Sequence, residues 1–174
     1  PELGGSEWSA VVHGLVGGMP PEADLDAAAR LHPLVAELVT EREVTGVHDV
    51  SDGGLAVALA EMAFASNTGF RIDPTVAGCT AAESCFGEST SRVVVSVESD
   101  RLAGVLGRAA AAGVPAAVIG QAGGTRLIAT GAFDVALADA ETTWREALPT
   151  IMGRRERPRE VPLSTPEERE DFGG

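Results

Sequence analysis

The stretch Val47-His48-Asp49-Val50-Ser51-Asp52-Gly53-Gly54-Leu55 joins a predicted strand to a predicted helix. A short, mostly apolar run precedes it, and apolar residues at helical spacing follow it. We call this connection the glycine turn (residues 48–54); it holds two carboxylates, a hydroxyl and an imidazole within five residues. Such a polar cluster is costly unless its members are hydrogen-bonded or bind a ligand. Nucleotide and metal chemistry is common where a loop leads into a helix.

One interpretation of the glycine turn is a ligand site. A strand that ends at Asp49 points its carboxylate over the edge of a sheet, and a carboxylate suits Mg²⁺, which keeps waters among its ligands. Gly53 and Gly54 permit close approach of a ligand to the backbone. The N-terminus of the following helix carries partial positive charge that favours phosphate. On this interpretation the turn binds a phosphate and a metal ion.

The alternative interpretation of the same turn is structural. Ser51 and Asp52 are both favoured N-cap residues, so either is predicted to cap the following helix. In this interpretation Asp52 is the cap, Asp49 makes local hydrogen bonds, and His48 is partly buried. No ligand is then needed. The spacing of these residues leaves both interpretations open.

A second polar segment, Phe86-Gly87-Glu88-Ser89-Thr90-Ser91-Arg92, leads into a valine-rich run. We call it the pre-strand loop (residues 86–92). Glu88 and Ser89 could hydrogen-bond a ligand, and Arg92 could pair with Glu88 or with a phosphate. The structural alternative is a turn closed by an internal Glu88–Arg92 pair.

The remaining motifs predict structure rather than chemistry. The run Gly120-Gln121-Ala122-Gly123-Gly124 lacks the Lys-Ser/Thr of a phosphate loop, so it predicts a hairpin turn between strands. Cys79 and Cys85 have no second cysteine pair to complete a zinc site, and both are interpreted as small, partly buried thiols. His13 and His32 are interpreted as structural.

The composition is that of a globular protein with an acidic balance. The 174 residues are 44% apolar and 22% charged, with a formal net charge of −13. The acidity argues against nonspecific nucleic-acid binding, which needs basic residues to neutralise phosphates, and against docking on an anionic membrane. Neither a signal peptide nor an apolar run of transmembrane length is recognised. A cytoplasmic location is therefore expected.

Periodicity and turn residues divide the chain into three predicted parts. Residues 1–23, which we call the N-terminal segment, are expected to enter from a missing upstream domain. Residues 24–152 are expected to form one domain, and residues 153–174 a disordered tail, because the tail has few apolar groups to bury. The mixed order of elements predicts an α+β fold, a mixed β-sheet with helices packed on one face. Predicted strands span residues 44–50, 70–73, 92–98, 116–121, 125–130 and 133–137. Predicted helices span residues 55–67, 81–86 and 101–112. A further helix is predicted directly after Asp24, and the last is predicted to start near Asp139.

The ends of these elements carry predictions of their own. Asp24 and Asp100 are predicted N-caps, and Gly69 is a predicted C-cap. Pro33 is expected to kink the first helix or to mark a restart. Pro149 is expected to end or kink the last helix.

The motif His48-Asp49-Val50-Ser51-Asp52-Gly53-Gly54-Leu55 resembles the signature of the C-terminal domain of the aminoimidazole ribonucleotide synthetase superfamily. Related turns occur in selenophosphate synthetase, thiamine monophosphate kinase and a hydrogenase maturation protein. Two further segments, Leu3-Gly4-Gly5-Ser6-Glu7-Trp8 and Phe86-Gly87-Glu88-Ser89, resemble the family of the phosphoribosylformylglycinamidine synthase large subunit. The resemblance covers residues 1 to about 152.

This resemblance implies a ligase of purine biosynthesis. Members use ATP to activate the amide oxygen of formylglycinamide ribonucleotide, and ammonia derived from glutamine then displaces phosphate. The implied cofactors are Mg²⁺ and ATP or ADP. The implied partners are upstream synthetase domains, a glutaminase subunit and a small accessory subunit, with no nucleic acid or membrane. The chain resembles the last domain of a duplicated two-domain unit and lacks the ATP-binding domain, so no activity is expected from it alone.

The resemblance also implies roles for individual residues. Asp49 matches a Mg²⁺-ligating aspartate of the first copy, and Glu88-Ser89-Thr90 matches a substrate-binding Glu-Ser-Gln. Thr90 replaces Gln, and Ser51-Asp52 replaces small residues, so this domain is expected to line a non-catalytic counterpart of the active site that holds a structural nucleotide. The implied nucleotide- or substrate-binding residues are His48, Asp49, Ser51, Asp52, Gly53, Gly54, Glu88, Ser89 and Thr90, with Asp49 as the metal ligand.

Two other functions stay open at this point. The chain could be a purely structural or interaction domain whose polar turn packs against missing domains. It could also belong to a sister enzyme of the selenophosphate synthetase or thiamine monophosphate kinase type, although the segments outside the turn favour the ligase. The missing companion domain is expected to leave an apolar patch near Trp8 and the Asp49 turn, which favours self-association.

Overall fold

The computed structural model describes residues 3–74 and 78–153. Within those ranges the chain forms six helices and six strands. The helices are α1 (Glu7–His13), α2 (Leu25–Thr40), α3 (Gly54–Ser66), α4 (Ala81–Phe86), α5 (Leu102–Ala111) and α6 (Leu137–Ile151). The strands are β1 (Gly46–Asp49), β2 (Phe70–Ile72), β3 (Val93–Ser96), β4 (Gly120–Ala122), β5 (Arg126–Ala129) and β6 (Phe133–Ala136). The α+β class is confirmed, and α1 is an addition to the predicted elements. The tail predicted to be disordered, residues 153–174, lies outside the described ranges from residue 154 onward.

The larger sheet has four strands in the order β4-β2-β5-β6. β2 is parallel to β5 and antiparallel to β4, and β6 is antiparallel to β5. The predicted hairpin turn at residues 120–124 is therefore wrong, because β4 and β5 lie on opposite sides of β2. The connecting glycines instead hold the residue before β2: the Gly69 amide donates to the Gly124 carbonyl at 2.9 Å, and the Gly123 amide donates to the Gly69 carbonyl at 2.7 Å.

The main hydrophobic core lies on one face of this sheet. Alternate residues of β2 and β5 point inward, as expected from the two-residue period of a strand, and they meet apolar residues of α3, α4 and the start of α6. The buried members are Ala56, Ala63, Phe70, Ile72, Cys85, Leu127, Ala129 and Leu137. Burial raises the pKa of the Cys85 thiol, whereas Cys79 is half-buried.

Strands β1 and β3 form a separate antiparallel pair. Gly46 lies opposite Ser96, and Asp49 lies opposite Val93. The predicted strands are thus divided between two sheets. A small core of Val50, Ala58 and Val94 packs this pair against α3, so the end of β1 and the start of α3 are fixed relative to each other.

Helices α2 and α5 pack together through an apolar cluster and a charged edge. The Arg108 guanidinium donates to the carboxylates of Glu41 at 2.6 Å and Glu37 at 3.0 Å. The Arg108 guanidinium holds the pKa of Glu41 below its ordinary value through a hydrogen bond and charge attraction. The buried apolar residues of this cluster are Leu34, Leu38, Val105 and Ala109.

The predicted helix ends are confirmed in one case and wrong in two. Asp24 caps α2 by accepting the Ala27 amide at 2.8 Å. Asp100 is not the cap of α5, because the helix begins one residue later and Arg101 takes the N-cap position without a side-chain hydrogen bond. Asn67, in the left-handed conformation, ends α3 in place of Gly69, whose backbone groups bond to the glycines before β5.

Both helical prolines lie within helices. α2 continues past Pro33 to Thr40, and α6 continues past Pro149 to Ile151, so the chain does not restart at Pro33 or end its helix at Pro149. The alternative expectation of a kink at each proline stays a prediction. Proline removes one intrahelical hydrogen bond, and neighbouring turns maintain the helix.

The chain divides after Glu141 into two compact units, and the domain boundaries expected near residues 23 and 152 stay predictions. No helix in residues 3–74 or 78–153 combines the length and apolar character needed to cross a bilayer.

Candidate functional site

The glycine turn connects β1 to α3, as predicted. Val50 is buried, and its amide donates to the Arg92 carbonyl at 3.0 Å, which anchors the turn to the pre-strand loop. The Gly54 amide donates to the Ser51 carbonyl at 3.0 Å. These two bonds fix the path of the backbone between the strand and the helix.

The predicted capping of α3 by Ser51 or Asp52 is wrong. Gly53 takes the N-cap position in a left-handed conformation, with φ 78° and ψ 0°, and no side chain caps the helix from there. Ser51 and Asp52 are exposed, so their hydroxyl and carboxylate face solvent. The left-handed backbone at Gly53 carries both side chains away from the helix amides.

His48 is held between two neighbouring residues. Its Nε2 lies 3.1 Å from Glu61 Oε2, and its Nδ1 lies 2.7 Å from the carbonyl oxygen of Asp49. The imidazole is half-buried, with 28% of the side chain exposed. Glu61 was missed by the sequence analysis. The available signal was that Glu61 is the single charged residue of α3, and a carboxylate on an apolar helix needs a polar partner.

The Asp49 carboxylate is an accessible acidic group at the end of β1. It is 74% exposed, and its Oδ1 lies 3.6 Å from His48 Nδ1. Among the described residues, no group of three or more His, Cys, Asp or Glu side chains is placed to hold a metal ion. Asp49 can therefore supply one hard oxygen ligand. This fits Mg²⁺, which takes one or two carboxylates with substrate phosphates and waters.

Glu88 connects the pre-strand loop to two other segments. Its Oε1 accepts the Gly53 amide at 2.8 Å and the Glu7 amide at 2.9 Å. The three segments that carried the family resemblance therefore meet at this single oxygen atom. The Glu88 carboxylate is half-buried and bonded to the protein's own backbone.

The predicted Glu88–Arg92 pair is wrong. Arg92 donates through Nε to the Ser89 carbonyl at 3.2 Å and through Nη2 to the Gly87 carbonyl. Burial lowers the pKa of the Arg92 guanidinium below its ordinary value. Arg92 therefore closes the loop on itself through backbone carbonyls, because Glu88 is turned towards the amides of Gly53 and Glu7.

The hydroxyls of the pre-strand loop bond mainly to the chain that precedes α2. Thr90 donates to the Glu22 carbonyl at 3.1 Å, and Ser91 donates to the Asp24 carbonyl at 3.4 Å. Within the described ranges, the Ser89 hydroxyl has no hydrogen-bond partner. Of the predicted Glu88-Ser89-Thr90 set, Ser89 alone keeps its side chain unused by the fold.

The two glycines of the turn are needed for contacts within the protein. A Cβ on Gly54 would lie 2.8 Å from the carbonyl oxygens of Cys85 and Gly87, and a Cβ on Gly53 would lie 2.4 Å from a methyl group of Val57. The close approach predicted at Gly54 is therefore made by the end of α4 rather than by a ligand. Among the predicted site residues, the exposed ones are Asp49, Ser51, Asp52 and Thr90, and of these Thr90 bonds to the Glu22 carbonyl.

The N-terminal segment packs beside this loop through aromatic rings. The Trp8 indole stacks on Phe86 with ring centroids 6.4 Å apart, and it meets His13 edge-on at 4.7 Å. The segment also carries a row of exposed large apolar residues. These are Val11, Val12, Leu15, Val16 and Met19.

Comparison with known proteins gives one matching family. A family model described as AIR synthase related protein, C-terminal domain, matches residues 1–131. Phosphoribosylformylglycinamidine synthase subunit PurL of Corynebacterium ammoniagenes is 39% identical over 152 residues, which is 87% of this chain. Subunit PurL of Methylocella silvestris is 41% identical over 150 residues, 86% of this chain. The chain spans 20% of the length of each of these relatives.

Solved structures share the fold. T. maritima PurL complexed with FGAR superposes with a TM-score of 0.61 at 20% identity, over 68% of this chain and 21% of that one. T. maritima PurL complexed with ATP gives a TM-score of 0.57 at 19% identity, over 64% of this chain and 21% of that one. The PurLQS structure from Thermotoga maritima gives 0.60 at 20% identity, over 66% of this chain and 21% of that one.

Proposed function

Because the chain belongs to the family of the AIR synthase related protein, C-terminal domain, we propose that it is the C-terminal part of an ATP-dependent ligase of purine biosynthesis. The ligase converts formylglycinamide ribonucleotide and glutamine to formylglycinamidine ribonucleotide. The carrying observation is that the glycine turn, the pre-strand loop and the N-terminal segment meet at Glu88 Oε1. The similarity to subunit PurL over most of the chain supports the ligase over a sister enzyme.

Within that ligase, the glycine turn contributes to a nucleotide site with Mg²⁺. The exposed Asp49 carboxylate is the metal ligand, and the phosphates and waters complete the coordination. Ser51 and Asp52, whose side chains face solvent, lie beside Asp49 and can hydrogen-bond the nucleotide or its waters. Glu88 and Thr90 are bonded to backbone groups, so a non-catalytic, structural nucleotide fits this domain better than a substrate.

The proposed partners are those of the complete enzyme. They are the upstream synthetase domains, a glutaminase subunit and a small accessory subunit, and the PurLQS structure of Thermotoga maritima supports assembly of this kind. No catalytic residue is assigned to this chain. The cytoplasmic location expected from the sequence stays a prediction.

A second candidate function is a purely structural domain. It is favoured by one observation: Glu88, Thr90 and Ser91 all bond to backbone groups of this chain rather than pointing into open space. On this alternative, Asp49 has no ligand, and its replacement changes no nucleotide response. Nucleotide binding at the turn therefore separates the two candidates.

Replacing Asp49 tests the nucleotide site. We expect Mg²⁺-ADP and Mg²⁺-ATP to bind the chain, and Asp49→Ala to weaken binding at least about tenfold, as loss of a metal-site group does. Isothermal titration calorimetry measures both affinities. The control is Asp100→Ala, which removes an exposed aspartate that does not cap α5 and should leave the affinity unchanged.

Equal affinity in wild type and Asp49→Ala would contradict the assigned metal ligand. If neither nucleotide binds the isolated chain, the same titration is made on a longer chain that includes the upstream domains. There, an affinity unaffected by Asp49→Ala would favour the structural alternative.

The exposed apolar row of the N-terminal segment predicts self-association. Val16 is 94% exposed and Leu15 is 64% exposed, and contiguous apolar surface of this kind marks an interaction surface. We expect the mean mass from light scattering to rise with concentration, and Leu15→Ser with Val16→Ser to reduce that rise. The control Val39→Ser changes an exposed valine outside the segment. A sharp monomer at high concentration would refute this prediction.

A further inference from the structure

The carboxylate of Glu88 lies at the N-terminal ends of two helices. Its Oε1 accepts the amide of Glu7, the first residue of α1, and the amide of Gly53, the N-cap residue of α3. The first amides of a helix have no partner inside the helix, and they carry partial positive charge that favours an anion. We propose that Glu88 is a shared N-terminal cap that latches the N-terminal segment to the glycine turn.

The cap of α3 shows why a remote residue is needed. In a capping box, a glutamate in the first turn of a helix accepts the amide of the N-cap residue. α3 has no acidic residue in its first turn, and its N-cap is a glycine without a capping side chain. Glu88 makes the corresponding bond to Gly53 from 35 residues away.

The cap of α1 is shared in a complementary way. The Ser6 hydroxyl accepts the Ser9 amide at 3.3 Å, and Glu88 accepts the Glu7 amide. The two acceptors therefore serve different amides of the same first turn. Because Glu88 also bonds to Gly53, the position of α1 depends on the position of the glycine turn.

This latch has a consequence for ligand binding. Oε1 already accepts hydrogen bonds from two amides. A ligand that donated a hydrogen bond to this oxygen, or a metal ion that it coordinated, would therefore compete with both amides. Glu88 in this domain is therefore a positioning residue. The inference goes beyond the proposed function, because it holds whether or not the glycine turn binds a nucleotide.

Amide hydrogen exchange followed by NMR tests the latch residue by residue. In Glu88→Ala, the amides of Glu7 and Gly53 should both exchange at least about tenfold faster, since each loses a hydrogen bond to a charged acceptor. Amides of the central strand β2 should keep their wild-type rates. The control is Glu98→Ala, an exposed glutamate, which should leave all these rates unchanged.

A second variant removes one donor and keeps Glu88. Glu7→Pro deletes the amide hydrogen at the first position of α1, where proline is well tolerated. Ser6 before it is extended, with φ −82° and ψ 156°, as a residue before proline requires. The Gly14 amide, which bonds to the Ala10 carbonyl at 3.0 Å at the end of α1, should exchange faster, while the Gly53 amide stays protected.

The combination of the two variants decides the outcome. Adding Glu88→Ala to Glu7→Pro should not accelerate the Gly14 amide further, because the link is already broken. Wild-type exchange rates at Glu7 or Gly53 in Glu88→Ala would overturn the latch. So would a further acceleration of Gly14 exchange when Glu88→Ala is added to Glu7→Pro. If Glu88→Ala unfolds the whole chain, Glu7→Pro decides alone: faster exchange at Gly14 with Gly53 protected supports the latch, and an unchanged rate at Gly14 overturns it.

Discussion

Gly54→Ala is expected to destabilise the chain by about 2–5 kcal/mol, the sum of a left-handed backbone penalty of about 1–2 kcal/mol and an overpacking cost of about 1–3 kcal/mol. The backbone at Gly54 has φ 69°, and an added Cβ would lie 2.8 Å from the carbonyl oxygens of Cys85 and Gly87. These are backbone atoms at the end of α4, so no side-chain rotation can relieve the overlap. The expected loss is a large part of a typical stability of about 5–15 kcal/mol.

Urea unfolding followed by circular dichroism measures this effect. Gly104→Ala is the matched control, because Gly104 lies inside α5 and a Cβ there meets no atom within 4 Å. That substitution should stabilise the chain by about 0.5–1 kcal/mol, since glycine is a poor helix residue. If Gly54→Ala unfolds at the same urea concentration as Gly104→Ala, the close contact between the turn and α4 is wrong.

Local features of the sequence predicted most of the elements of the fold. The period of α3, the valine run of β3 and the predicted helix at residues 81–86 each depend on residues close in sequence, and each element lies close to where it was expected. Asp24 caps α2 for the same reason, since an N-cap bond to Ala27 spans three residues. Short-range physics was sufficient for these elements.

Strand pairing could not be predicted in this way. The run 120–124 has the composition of a hairpin turn, yet β2 separates β4 from β5. The decisive bonds join Gly69 to Gly123 and Gly124, which lie far apart in the sequence. A glycine-rich turn permits both arrangements, and the parallel pairing of β2 with β5 selects one of them.

The candidate site shows the same division between near and distant contacts. The turn itself was predicted, and its exposed Asp49 carboxylate agrees with the expected position at the end of β1. The cap of α3 was not predicted. The left-handed Gly53 turns Ser51 and Asp52 to solvent, and Glu88 accepts the Gly53 amide instead. That exchange depends on a tertiary contact that no local pattern encodes.

Phe70→Ala is the second substitution with a large expected effect. Phe70 is 5% exposed on the central strand β2, and its ring meets Phe133 edge-on with centroids 6.5 Å apart. Truncation of a buried phenylalanine costs about 3–5 kcal/mol, because the lost apolar contacts are joined by a cavity that relaxes incompletely. We expect the urea midpoint to fall correspondingly. The cooperativity of unfolding should decrease only if the variant is already partly unfolded in water.

Two controls identify the cause of that loss. Phe70→Leu keeps most of the apolar volume and should cost less than about 1.5 kcal/mol if the neighbouring side chains repack. Val135→Ala changes a 41%-exposed residue of β6 and should stay within about 0.5 kcal/mol of wild type, as surface changes do. β2 lies between β4 and β5 in the sheet. If Phe70→Ala lowers the free energy of unfolding no more than Val135→Ala does, β2 does not lie inside the sheet. The pairing of the four strands would then have to be revised.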